Sequence, residues 1–257
     1  MHIAIVAALR SPIAPLMGEL SYLSASNLGG QVIKAALKQG ALEHVDEVIL
    51  GHVLTAGLGQ GPARQAAKAA GLPDGTTAFT VNQICGSGLR AVALGAQQIM
   101  TGQAEIVLAG GQESMSQAPH AQNLRKGQKF GNLNFIDTMS FDGLTDAFHA
   151  YPMGMTAENI AERWNISRAA QDAFALQSQE RAATAQANGA FKAEIVPIIV
   201  PNRRGDLRVY QDSGIRASTS ADSLAACFQR RWHGHRRKCL RHQRWCGGSG
   251  FDGQGEN

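Results

Sequence analysis

The sequence predicts an α/β layered domain, on two observations. Short apolar, partly β-branched segments alternate with stretches of helical periodicity through the first 115 residues, the pattern of helices stacked on a sheet. Thr77 to Ser116, TAFTVNQICGSGLRAVALGAQQIMTGQAEIVLAGGQESMS, condenses that alternation into strand, sharp turn, helix and strand.

Taken in order, Ile3 to Val6 (IAIV) reads as a first strand and Arg10 to Pro15 as a turn. Ser24 or Ser26 caps a helix that runs to about Gln39, and Gly40 stops it. Leu28, Val32, Ile33, Ala36 and Leu37 form its apolar stripe. Glu47 to Val53 (EVILGHV) is a second strand, followed by a flexible turn at Gly57, Gly59 and Gly61. Pro62 starts a helix to about Ala70, a position where its missing N–H costs nothing. Leu72 to Gly75 turns into the strand Ala78 to Val81. Gly86 and Gly88 let the backbone turn sharply there. From Leu89 to Met100 apolar residues occur on nearly every face, which predicts a buried helix. Ile106 to Ala109 is the next strand.

Residues 116 to 226 read differently. Lys126 to Asn134 is a polar, glycine-bearing surface excursion. Thr156 caps a helix to about Trp164, Ser167 starts another to about Asn188, and Glu194 to Val200 is a strand. Asp172, Glu180 and Arg181 form the solvated face of the second of these helices.

Composition bounds the function. Apolar residues make up 44% and charged residues 17% of the 257, which suits a soluble globular protein with a sizeable core. No apolar run is long enough for a bilayer, and the N-terminus has no signal-peptide pattern, so no membrane role and a cytoplasmic location are expected. The net charge of +4 belongs to the tail, which from Cys227 onward holds seven Lys/Arg against two Asp/Glu. The same tail holds Cys227, Cys239 and Cys246, three of the eight histidines and two of the three tryptophans. This abrupt shift marks a boundary.

Cys85 is the residue with chemistry to offer. It sits where the helix begins, beside unpaired backbone N–H groups and the positive end of the helix dipole. Such a setting favours a thiolate, the nucleophilic form, and the same N–H groups suit the oxyanion of an attacked carbonyl. A lone cysteine among apolar residues is ordinarily a small core residue. The flanking Gln83, Gly86, Ser87 and Gly88 point toward catalysis instead.

NQICGSGLRAVALGAQQI, followed by AGGQESMSQAPH and DGLTDAF, resembles the thiolase family, most of all its biosynthetic branch of acetyl-CoA C-acetyltransferases. The resemblance runs from the first strand to about Ala225. It implies the N-terminal half of a thiolase-like layered fold, with helices on a five-stranded mixed sheet. Residues 1–115 would be the core domain, 116–226 an inserted loop domain covering coenzyme A, and 227–257 a tail foreign to the family. The implied reaction condenses two acetyl-CoA into acetoacetyl-CoA and coenzyme A through an acyl-cysteine at Cys85. No cofactor beyond the thioester substrates is implied, and no metal. Implied partners are acetyl-CoA, acetoacetyl-CoA and identical subunits of a homotetramer, assembled through a segment such as Lys126 to Asn134. Polyester (polyhydroxybutyrate) storage and general ketone or fatty acid metabolism are equally compatible with such a product.

Leu144 and Met153 match family positions beside the pantetheine arm, although by residue type each reads as ordinary core. Arg216 and Ser223 match positions near the nucleotide end of coenzyme A, where arginine stacks on adenine or pairs with phosphate. Biosynthetic relatives have YHMG where this chain has Tyr151-Pro152-Met153-Gly154, so a polar contact to the ligand is missing and His149 is the nearby substitute. Glu113 and His120 fall in matching motifs and read as scaffold. The family's GHP histidine, NEAF asparagine and second cysteine motifs do not occur in these 257 residues. A non-catalytic remnant that at most binds coenzyme A, with apolar surface exposed, is therefore the alternative.

The tail supports neither a metal site nor a nucleic-acid site. The spacing of Cys239, Cys246, His233, His235 and His242 fits no closed zinc pattern, and a basic run beside Trp232 and Trp245 is ordinarily a solvated segment. Read one base forward, codons compatible with Trp232 to Ser249 can encode GTVTAGNASGINDGAAAV, which resembles the thiolase segment due at that point. A frameshift near Ala225 is the expectation that follows.

Overall fold

The computed structural model describes residues 2–215. Arg216, Ser223 and the expected out-of-frame tail lie outside the described residues. The chain divides into two compact units, residues 2–143 with 182–215, and residues 144–181.

The first unit is built on a parallel three-stranded sheet: β1 (Glu47–Gly51) in the centre, β2 (Thr77–Val81) on one side, β3 (Val107–Gly111) on the other. The register pairs Glu47 with Thr77 and Val107, and Gly51 with Val81 and Gly111, so all three strands end at one level. Helices α1 (Ala25–Gln39), α2 (Pro62–Ala69) and α3 (Ser87–Met100) accompany the sheet. Ser24 caps α1 by accepting from the Asn27 N–H, and Gly40 closes it, as the sequence predicts.

Alternation along β1 sorts its side chains. Val48 and Leu50 join Ile33, Val45, Ala63, Ala66, Ala67 and Leu72 in a core with α1 and α2. Ile49 and Gly51 take the opposite face, where α3 lies against β1 and β3. A fully buried aliphatic side chain contributes roughly 1.5–3 kcal/mol, so this short strand carries much of the unit's stability.

A second core joins Leu20, Leu23 and Leu28 to the hairpin of β6 (Ile198–Val200) and β7 (Leu207–Val209). Arg10 fastens this part. Its guanidinium grips the Asp212 carboxylate with two bonds of 2.8 and 2.9 Å, reaches Glu194 at 2.7 Å and lies over the Phe191 ring. β4 (His120–Ala121) and β5 (Ile136–Asp137) form a small hairpin, and the chain between them is exposed from 123 to 136.

Some expectations need correction. Ile3 to Val6 is not a strand: it forms no ladder among the described residues, and Ile5 and Val6 are 81% and 60% exposed. A strand exists only through a neighbour's hydrogen bonds, and no described sheet edge supplies them. Among the described residues the sheet of the layered fold comprises three parallel strands, of the five mixed strands the resemblance implies. Helix α3 is not buried all round. Only Ser87, Ala91 and Gly95 are buried, while Leu89 is 78% and Met100 64% exposed. The sheet covers one face of α3, and no described layer covers the other.

The second unit holds α4 (Met153–Arg163) and most of α5 (Arg168–Ala187). Helix α4 starts at Met153, so Thr156 lies inside it. Pro152, extended at φ −69° and ψ 153°, sets the start, because proline fits just ahead of a helix and not within one.

The Arg10 grip holds the Asp212 carboxyl below the usual carboxylate range, chiefly through the side-chain hydrogen bonds. A depressed value means that this stabilisation is present above the unfolded carboxyl's pKa and is lost as pH falls through the folded one. Asp212→Asn should therefore cost about 1–2 kcal/mol at pH 7 and much less near pH 2, measured by urea unfolding at both.

Candidate active site

All three strands deliver their C-terminal ends to one place, the side on which ligands bind in α/β sheets. Cys85 lies in the turn between the end of β2 and the start of α3; its thiol is free and exposed.

The turn is built by its neighbours. The Asn82 Oδ1 accepts from the Ile84 N–H at 2.9 Å. The buried Ser87 hydroxyl accepts from the Gln83 N–H at 2.8 Å and donates to the Ile84 carbonyl at 2.6 Å. The Gly86 and Ser87 N–H groups donate to the Gln83 and Ile84 carbonyls at 3.1 and 3.0 Å. These bonds hold Ile84 at φ +50°, a conformation that a β-branched residue adopts only under constraint, at a cost of about 1–3 kcal/mol. Cys85 follows directly.

The sharp bend therefore falls at Ile84 and not at the glycines. Gly86 has an ordinary φ of −82°. It is small because a Cβ there would crowd the Gln83 carbonyl at 3.3 Å. Gly111 lets β3 lie close to α3, since a Cβ there would stand 3.4 Å from the Gly88 Cα, whereas a Cβ on Gly88 would make ordinary contact at 3.9 Å. Gly51, ending β1, is the tightest of these: a Cβ there would overlap the Ser87 carbonyl carbon and the Gly88 nitrogen, both backbone.

The AGGQESMSQ segment is scaffold. The Gln112 N–H donates to the Gly51 carbonyl at 2.9 Å, Ser114 Oγ to the Leu23 carbonyl at 2.9 Å, and Ser116 Oγ accepts from the Met17 N–H at 2.9 Å. The Gln117 side chain donates to the Ser21 carbonyl. Glu113 accepts from the Val53 N–H at 2.9 Å. His120 pairs with Asp137 in the small hairpin. His52, which no sequence motif singles out, is 1% exposed beside Gln112 and Glu113. Its only signal is a histidine directly after an apolar strand.

Leu144 and Met153 fall in the second unit. Leu144 is half-buried as the last residue of a short wide helical turn (Met139–Leu144), and Met153 is exposed as the first residue of α4. Nearby, the Asp146 carboxylate accepts from the His149 N–H at 2.7 Å and lies 2.9 Å from His149 Nδ1. These contacts, the backbone one foremost, hold the Asp146 carboxyl below its usual range. The His149 ring stacks on Tyr151 with centroids 5.4 Å apart. Among the described residues no group of three or more metal-binding side chains comes together, and no helix is long and apolar enough to cross a membrane.

The family described as "Thiolase, N-terminal domain" matches residues 3–233. An acetyl-CoA acetyltransferase of Rhizobium meliloti (strain 1021) is 54% identical over 225 residues, 87% of this chain and 57% of that protein. One from Shinella zoogloeoides is 53% identical over 223 residues, 86% of this chain and 57% of that protein. The crystal structure of the Bacillus anthracis acetyl-CoA acetyltransferase superposes with a TM-score of 0.83 at 40% identity, over 86% of this chain and 56% of that one. An α/β domain whose strand ends present a cysteine on a helix-start turn is thus a thiolase-type domain. The chain belongs to the thiolase family. It spans just over half the length of these relatives.

Gly51→Ala tests the packing under the turn. It should cost roughly 1–3 kcal/mol, because backbone cannot yield to a methyl group as a flexible side chain does. The measurement is chemical unfolding, with the exposed Gly75→Ala as the neutral control, since a Cβ there meets nothing within 4 Å.

Proposed function

We propose that this chain carries the acyl-accepting half of an acetyl-CoA C-acetyltransferase, with Cys85 as the nucleophile. The observation that carries the reading is the turn itself. Two side chains, Asn82 and Ser87, and two backbone N–H groups are committed to holding one exposed thiol at the sheet's C-terminal edge, next to a helix start. The naming of the relatives as acetyl-CoA acetyltransferases supports acetyl-CoA as the acyl donor.

In the first step the Cys85 sulfur attacks the thioester carbonyl. A carbon–sulfur bond forms at Cys85, the bond to the coenzyme A sulfur breaks, and coenzyme A leaves as a thiol once protonated. A dipole directed from the start of α3 suits the charge developing on the carbonyl oxygen. Leu144, Met153, Arg216 and Ser223 are proposed to border coenzyme A, within a cover formed by residues 116–226. In the complete reaction a second acetyl-CoA takes the acetyl group as acetoacetyl-CoA. The excursion Lys126 to Asn134, with Phe130 exposed on it, is the surface proposed for the homotetramer.

One observation favours a second reading, a remnant that binds coenzyme A without turnover. Leu89, Val92 and Met100 leave an apolar stripe of α3 uncovered among the described residues, on the helix that carries the site.

Acetyl transfer separates the two readings. The purified chain, incubated with radiolabelled acetyl-CoA and digested, should carry label on the peptide containing Cys85, and Cys85→Ser should remove it. A folded chain that binds coenzyme A but takes no label at Cys85 is the remnant.

A further inference from the structure

We propose that His52 is a positioning residue for Cys85, acting through Glu113 and Asn82; the inference rests on the reading of Cys85 as acyl acceptor.

A histidine 99% removed from solvent needs partners for both ring nitrogens, and their arrangement fixes what it does. The Gln112 Nε2 amide lies 3.4 Å from His52 Nδ1, both side chains being buried. An amide donor there makes Nδ1 the acceptor and leaves the ring proton on Nε2. That nitrogen lies 3.2 Å from Glu113 Oε1, close enough for the N–H dipole to face the carboxylate, although off the line of a hydrogen bond. The imidazole therefore presents its positive edge to the carboxylate.

Glu113 passes this constraint on. Its Oε2 accepts from the Val53 N–H at 2.9 Å, and Oε1 takes the Leu54 N–H at 3.4 Å, so the carboxylate pins the chain leaving β1. The Val53 carbonyl accepts from Asn82 Nδ2 at 3.4 Å, and Asn82 Oδ1 holds the Ile84 N–H at 2.9 Å. Ile84 is the strained residue next to Cys85. The His52 backbone joins in, its N–H donating to the Val81 carbonyl at the end of β2 at 3.0 Å. The exits of all three strands are thereby tied together, with the fully buried His52 imidazole at the root and the nucleophile at the tip. A shift of about 1 Å at a reacting atom is enough to slow a reaction of this kind by orders of magnitude.

The test compares two reactions of the same thiol: acetyl transfer from acetyl-CoA, which needs geometry, and alkylation by iodoacetamide, which needs only access. His52→Leu should slow acetyl transfer about tenfold while alkylation changes less than twofold. His52→Gln, which keeps an N–H donor, should recover most of the loss. Glu113→Gln, which removes the charge and leaves the shape, should slow transfer about threefold and serves where His52→Leu fails to fold. Unchanged transfer in folded His52→Leu or Glu113→Gln would overturn the proposal, as would parallel loss of both reactions or a His52→Gln variant as slow as His52→Leu. No transfer in the unaltered chain would overturn the Cys85 reading and this inference with it.

Discussion

The structure depends on one close approach, the backbone of Gly51 at the end of β1 against the first turn of α3 at Ser87 and Gly88. No side chain separates them. The contact puts the helix start directly on the strand ends and brings the Ser87 hydroxyl under the turn, where it holds the Gln83 N–H and the Ile84 carbonyl. Cys85 is exposed because the residues on either side of it are tied down. Here the strain at Ile84 and the exposure of the thiol are two results of one packing constraint.

The interior and the periphery of the fold differ in how they are held. The central strand is held on both edges and both faces, with α1 and α2 on one side and α3 on the other. Peripheral parts hang on fewer, polar fastenings. Arg10 gathers Glu194, Asp212 and Phe191 to hold the β6–β7 part, while Ile5 and Val6 stay in solvent. Apolar side chains left on the open face of α3 follow the same division, since the sheet can cover only one side of a helix.

Most of the framework was legible because its signals are local. Ser24, Gly40 and Pro62 mark helix ends through their own backbone and side-chain chemistry, and no distant partner is needed to make them do so. Cys85 was legible from the residues around it. Strand status for Ile3 to Val6 was not, because a strand is defined by a neighbour and β-branched composition does not supply one. Burial of α3 failed for a related reason: an apolar helix states what it needs and not whether the layer is there. The bend at Ile84 was hidden because glycine is the usual residue of a sharp turn, yet Gly86 only makes room for the Gln83 carbonyl while Asn82 and Ser87 force the turn. His52 carried no pattern at all, and only burial and its place between Gln112 and Glu113 give it meaning.

The most direct test of the account is amide hydrogen exchange in the turn. The Gly86 and Ser87 N–H groups donate to carbonyls inside a locked turn, so they should exchange more slowly than exposed loop amides by a factor on the order of a thousand, close to the amides of β1. Exchange of both at the rate of the exposed excursion 123–136 would mean that the turn is open, and that nothing in the fold holds Cys85 in place.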